Sequence, residues 1–206
     1  MKVISIISQK GEAGKTTLAL HLAVAFEHRN KPCAIIDLDP QASATNWKDY
    51  REKNDPVVVS AQASRLNHIL STAKSAGAKI CILDTAPHSE SSSLAAARMA
   101  DIILIPCRPA ILDLRAISNT IDLARIANKS VFVVLNAVPA RGSLALEAKK
   151  AIEGYGVDVS PIHIVQRSSF IHSLTLGLTA QEYEPKGKGA EEINQLYKWI
   201  NKKLDI

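Results

Sequence analysis

Cysteine is scarce in this chain, and aromatic residues are few for its length. Its 206 residues include 3 Cys, 2 Trp, 4 Tyr and 3 Phe. Cys33, Cys81 and Cys107 are odd in number, widely separated and set in apolar runs, with no C-x-x-C pair. That argues against a disulfide scaffold and against a cysteine-held zinc or iron–sulfur site. Buried thiols in a reducing cytoplasm are expected instead. No apolar run approaches the ~20 residues of a membrane-spanning helix. The opening MKVISIIS lacks the basic stretch and long apolar run of a secretory signal. A soluble cytoplasmic protein is expected. No repeat, low-complexity tract or linker divides the chain, so a single domain over residues 1–206 is expected.

With 47% hydrophobic residues and few aromatics, the core must be built from Ala, Ile, Leu and Val. The net charge of +5 leaves room for a polyanionic partner. Apolar, β-branched runs recur between longer helix-like segments. Strands are predicted at Val3–Ile7, Cys33–Asp37, Val57–Ser60, Ile80–Asp84, Ile102–Pro106, Val131–Asn136 and Ile162–Val165. Unbroken apolar runs suit parallel strands buried on both faces. Helices are predicted over Lys15–His28, Ala42–Arg51, Ala63–Ala76, Ser91–Met99, Leu112–Ile126 and Leu144–Glu153, with a last one after Gly189. The alternation predicts an α/β fold, a doubly wound, mainly parallel sheet flanked by helices.

In such sheets ligands bind beyond the carboxyl ends of the strands. The segment Gln9-Lys10-Gly11-Glu12-Ala13-Gly14-Lys15-Thr16-Thr17 follows the first strand and ends as a Walker A loop. There backbone N–H groups wrap phosphates, Lys15 reaches the β/γ-phosphates, and the Thr16 hydroxyl serves Mg²⁺. The helix opened by Lys15 and Thr16 adds its positive end. The ordinary motif has glycine at position 9; this chain has Gln9, and a second cation at Lys10. Asp84 closes the apolar run Ile80–Leu83 in the manner of a Walker B strand, where a carboxylate holds Mg²⁺ directly or through water. Asp37 and Asp39 end the second strand two residues apart and so point the same way. One can orient the attacking water while the other supports the metal's hydration shell. Asp39 is the choice for the water, and it also belongs to the candidate metal set with Thr16 and Asp84.

The K-G-x-x-G-K-T-T loop, the segments D-L-D-P-Q and I-L-D-T-A-P, and the P-x-x-P-x-x-L-D-L stretch resemble the deviant-Walker P-loop ATPases. Within them, the ParA partition branch is the nearest in pattern. The resemblance covers nearly the whole chain, in the short form that starts at the first strand. It implies ATP and Mg²⁺ as ligands, slow ATP hydrolysis, and an ATP-dependent homodimer in which Lys10 reaches the partner's phosphates. It further implies nonspecific DNA binding, hence nucleoid association, and a ParB-like adaptor that stimulates hydrolysis. The implied nucleotide contacts are Gly11, Glu12, Ala13, Gly14, Lys15, Thr16 and Thr17. Asn136 and the segment Tyr183–Lys188 would lie at the base.

The implied DNA contacts are Arg167, Lys186 and Lys188, with Lys198, Lys202 and Lys203 extending the patch through charge and counterion release. A MinD-like membrane-cycling ATPase and a microcompartment-positioning ATPase remain as alternatives. For the first, Ile193, Leu196, Tyr197, Ile200 and Leu204 form an apolar helical stripe. Metabolic ligases on the same scaffold generally lack the extra lysine, and a cluster-bearing reductase needs cysteines this chain lacks. One residue departs from the resemblance. Glu12 stands where glycine is usual; glycine lets the backbone take φ > 0 and approach the phosphates closely, so a glutamate must adopt an allowed conformation or cost on the order of 1 kcal/mol. Its side chain is predicted to turn outward, to a dimer interface or to a cation such as Lys10 or an arginine.

Overall fold

A computed structural model describes all 206 residues. Seven strands form one sheet: β1 (Lys2–Ile6), β2 (Cys33–Asp37), β3 (Val57–Ser60), β4 (Ile80–Asp84), β5 (Ile102–Cys107), β6 (Ser130–Leu135) and β7 (Asp158–Val159). Their order is β3-β2-β4-β1-β5-β6-β7, and every pairing is parallel. The helices are α1 (Lys15–Glu27), α2 (Ser43–Asp49), α3 (Leu66–Ser75), α4 (Glu90–Met99), α5 (Ile111–Ile126), α6 (Leu144–Glu153), α7 (Ser168–Thr175), α8 (Ala180–Tyr183) and α9 (Lys188–Lys203). A short 3-10 turn, Ala63–Arg65, precedes α3.

Period-two alternation divides the strand side chains between two helical layers. Ile4, Ile6, Ile35, Ile82 and Leu104 join the core cluster with α1 and α9. Val3, Ala34, Ile36, Cys81 and Leu83 pack on the opposite face, with α3 and α4. Ile103, Ile105, Val133 and Leu135 pack on that same face with α5 and α6. Ser5 faces the α4 layer and satisfies its buried hydroxyl by donating to the Ala96 carbonyl at 2.8 Å. Helix α1 is buried without interruption from Leu18 to Phe26, because it lies between the sheet and the layer formed by α8 and α9. A helix apolar all round is a buried one.

Two sequence expectations need correction. The seventh strand is Asp158–Val159, not Ile162–Val165. Pro161 has no N–H to give a ladder. Beyond it, only a single bridge, Val138 to Val165, continues the sheet. The apolar character of Ile162–Val165 comes from packing under the helical layer, where Ile164 is buried. The short helices α7 and α8 lie in a segment for which no helix was predicted. The apolar stripe of α9 is spent on the core: Ile193, Leu196, Tyr197, Ile200 and Leu204 are all buried. It offers no face to a lipid surface. No helix is long and apolar enough to cross a membrane.

Candidate nucleotide site

The switch point of the sheet falls beside β1, between β4 and β5, and the phosphate loop occupies it. Gly14 takes φ +88° at the N-cap of α1, a conformation open to glycine at little cost. A Cβ on Gly14 would lie 2.1 Å from Nδ2 of Asn136, so the position is closed sterically as well. Asn136 donates from that nitrogen to the Ala13 carbonyl at 2.8 Å. Glu12 is at φ +60°, the left-handed conformation that glycine would supply. As predicted, its side chain turns outward: it is 85% exposed and stands 3.8 Å from Nη1 of Arg108.

A cavity of about 790 Å³ opens over the loop, within the range that holds small-molecule ligands. Gly11, Glu12, Gly14, Lys15, Thr16, Thr17 and Asp39 line its polar end. Trp47 of α2 and Tyr50 just after it, with Leu174 and Thr175 of α7, are among the other residues that line it. Lys15 is buried, and its ammonium donates to the Lys10 carbonyl at 3.4 Å. Desolvation lowers its pKa, an effect that Asp84 and Asp39 oppose.

The Thr16 hydroxyl donates to Oδ2 of Asp84 at 2.7 Å. Oδ1 of Asp84 is buried and has no hydrogen-bond partner. Burial raises the Asp84 pKa to about 7, with the Thr16 hydrogen bond acting against that rise. An orphaned carboxylate oxygen beside a threonine hydroxyl is a donor set suited to Mg²⁺. Asp39 borders the same cavity, its Oδ1 accepting from the Gln41 N–H at 2.9 Å.

Asp37 has a different task from the one its spacing suggested. It is fully buried, and Oδ2 accepts from the N–H groups of Ala44 and Thr45 at 3.0 and 3.1 Å. Oδ1 accepts from the Asp39 N–H at 3.1 Å. With both oxygens bound to the backbone, Asp37 shapes the loop that presents Asp39 and does not support a hydration shell.

Asn136 also departs from expectation. Its amide nitrogen is committed to the loop, so in this conformation the paired contact to a base is not made. Neither it nor Tyr183–Lys188 borders the cavity. Among the basic residues, Arg167 is ion-paired with Glu192, whose other oxygen accepts from the Val165 N–H. Lys186, Lys188, Lys198 and Lys202 are exposed. Lys203 is exposed too, with its ammonium 4.8 Å from the centre of the Phe132 ring.

Sequence reading missed the clasp behind the loop. His21 of α1 is fully buried, with Nδ1 2.7 Å from the Thr17 carbonyl and Nε2 3.0 Å from the Ala180 N–H. Since Ala180 can only donate, Nε2 accepts and Nδ1 carries the proton. Gln181 donates to the His21 carbonyl at 2.8 Å. Nearby, Arg51 makes a two-pronged pair with Glu182, each contact 2.9 Å, and also donates to the Gly177 carbonyl. These bonds tie α1 and the segment after α2 to residues 177–182.

The parallel sheet, the loop at its switch point and the carboxylate at the end of β4 together define a P-loop nucleotide-binding protein. Residues 4–177 match the model of the CobQ/CobB/MinD/ParA nucleotide binding domain, and the chain belongs to that family. It is 29% identical over 209 residues to "Maintenance of carboxysome distribution protein A" of Gloeobacter kilaueensis, covering 99% of this chain and 94% of that one. It is 28% identical over 183 residues to "Protein ParA" of Rhizobium radiobacter, covering 82% and 81%. The septum site-determining protein MinD of Pyrococcus horikoshii, solved with Mg-ADP, superposes with a TM-score of 0.80 at 19% identity, covering 98% and 96%. ATP with Mg²⁺ fits both the family and the residues present.

Proposed function

We propose that this protein is a dimerising ATPase whose ATP-bound form holds nonspecific DNA and positions a cargo, released when an adaptor protein stimulates hydrolysis. The observation that supports it best is that Lys15, Thr16 and Asp39 line one cavity, with Asp84 hydrogen-bonded to Thr16 and Lys10 in the same loop free of any acidic partner. Lys15 and the loop N–H groups bind and orient the phosphates. Thr16, Asp84 and, through water, Asp39 would hold Mg²⁺, which when bound neutralises charge on the phosphates. Asp39 orients the attacking water. Lys10 is assigned to the partner's phosphates, where a cation delivered in trans offsets charge developing in the transition state. The DNA surface is assigned to Lys186, Lys188, Lys198, Lys202 and Lys203. Arg167 contributes less, because Glu192 already offsets its charge.

A second reading concerns the cargo. The two relatives named for maintenance of carboxysome distribution match at 29% and 25% identity over 99% and 94% of this chain, against 24% and 22% for the equally long matches to IncC and Soj, which favours a protein microcompartment over a plasmid or chromosome. Sedimentation of the protein with DNA, and separately with anionic liposomes, with and without ATP and Mg²⁺, tests the main reading. The expected result is an ATP-dependent dimer that sediments with DNA and loses it steeply as salt rises. A protein that stays monomeric with ATP, or that follows the liposomes, would overturn it.

A further inference from the structure

Glu12 is a liability that nothing within one chain resolves. It holds a left-handed backbone at φ +60°, which a side chain makes unfavourable, and it brings negative charge to a loop built for phosphates. Its only ionic contact is Arg108, at 3.8 Å, with the Glu12 side chain 85% exposed. An ion pair this long and this exposed contributes little. Arg108 is no better served: its Nε is buried and has no hydrogen-bond partner. Directly after it, at the start of α5, Ile111 and Leu112 are 63% and 65% exposed. An acid thus meets a base, two bare aliphatic side chains lie close to that base along the chain, and the acid is two residues from Lys10.

Apolar residues flanked by opposite charges are the ingredients of a protein interface. An adjacent acid and base have a further property: the patch is complementary to its own copy turned by a two-fold axis. We propose that in the ATP-bound dimer Glu12 of one copy pairs with Arg108 of the other, and the reverse, around Ile111 and Leu112. The charge at position 12 would then contribute to selecting a like partner, giving the glutamate a role that glycine cannot fill. This inference rests on the dimerising-ATPase reading above.

Two charge reversals in separate chains test it. In a trans exchange, E12R meets like charge in its own dimer, and so does R108E. An equimolar mixture of the two places opposite charges at both contacts. Self-association is followed by analytical ultracentrifugation with Mg²⁺ and a slowly hydrolysed ATP analogue, and nucleotide occupancy is measured for each variant. Each variant alone is expected to dimerise more than about tenfold more weakly than the wild type, like charges at a contact being costly. The mixture is expected to recover dimers. If both variants self-associate like the wild type, the proposal is overturned. It is also overturned if the mixture stays monomeric while the double variant E12R/R108E dimerises, since that pattern marks a pair within one chain. A wild type that binds nucleotide and remains monomeric would remove the dimerising reading itself, and this proposal with it. Should a reversal variant bind no nucleotide, E12Q and R108Q replace the pair. Trans exchange predicts that each weakens the salt dependence of dimerisation, and an unchanged salt dependence overturns it.

Discussion

Thr16 and Asp84 meet at 2.7 Å across the floor of the nucleotide site, and the hydroxyl's proton satisfies only one of the two carboxylate oxygens. The other is buried and unpaired, and burial raises the group's pKa to about 7. The folded state therefore binds a proton on the Asp84 carboxyl more tightly than the unfolded chain does. Without metal, the group's contribution to stability is largest at low pH and is lost as pH rises through about 7. Asp84→Asn should raise the melting temperature of the nucleotide-free protein at pH 8 more than at pH 5, while abolishing Mg²⁺-dependent ATP hydrolysis. Thermal melts at the two pH values, with phosphate-release assays, check both.

Asn136→Ala removes the donor to the Ala13 carbonyl and leaves that oxygen to find another partner. The expected cost is about 1–3 kcal/mol, spread between folding and nucleotide affinity. Because the bond braces the loop, ATP and GTP should weaken by the same factor. Titration with fluorescent analogues of both nucleotides checks this; a loss confined to ATP would return Asn136 to the base.

The two lysines of the loop should separate cleanly. Lys15→Ala should abolish ATP binding. Lys10→Ala should keep binding but impair dimerisation or hydrolysis, and Asp39→Ala should leave a long-lived ATP dimer on DNA. Equilibrium binding, ultracentrifugation and turnover assays on the three variants distinguish these roles.

Glu12→Gly supplies the residue suited to φ +60° and removes a negative charge from the loop. ATP affinity in the monomer should be unchanged or higher, read by calorimetry. A variant that no longer binds ATP would make the glutamate a structural necessity.

The clasp between α1, the segment after α2 and α8 should be sensitive to acid. Burial alone would raise the Glu182 pKa, but hydrogen bonds from Arg51 and Lys53 outweigh it and hold the group at about 2. A carboxylate depressed in this way contributes stability above its unfolded value, lost as pH falls toward about 2. Burial lowers the His21 pKa to about 4, so its contribution is present at neutral pH and fades between about 6.5 and 4. Glu182→Ala should cost about 3 kcal/mol at pH 7, and the difference from wild type should shrink in acid. Urea unfolding at pH 7 and pH 3.5 measures it.

Much of this architecture was legible in the sequence for identifiable reasons. Six of the seven strands lie within a residue or so of their predicted bounds, because a parallel strand buried on both faces must be written as a continuous apolar run. The phosphate loop was legible because its residues are contiguous. What was not legible is nonlocal. Ala180 meets His21 across 159 positions, and Glu182 meets Arg51 across 131. No local spacing announces such contacts. Asp37 and Asp39 look equivalent by period, and only the backbone donors gathered around Asp37 separate a structural carboxylate from one facing the ligand. Ile162–Val165 failed as a strand because apolar character reports burial, whereas a strand also needs an unbroken ladder of donors.

The three thiols have a practical consequence. Cys33, Cys81 and Cys107 are each no more than 3% exposed, and burial pushes Cys81 and Cys107 up to about 12. Little thiolate exists in them near neutral pH, and reagents have no open path to the sulfur. A cysteine introduced on the surface, at exposed Lys74 for example, would react ahead of all three in the folded protein. Fluorophores for distance measurements between two copies can thus be attached at one chosen position with all three native cysteines left in place.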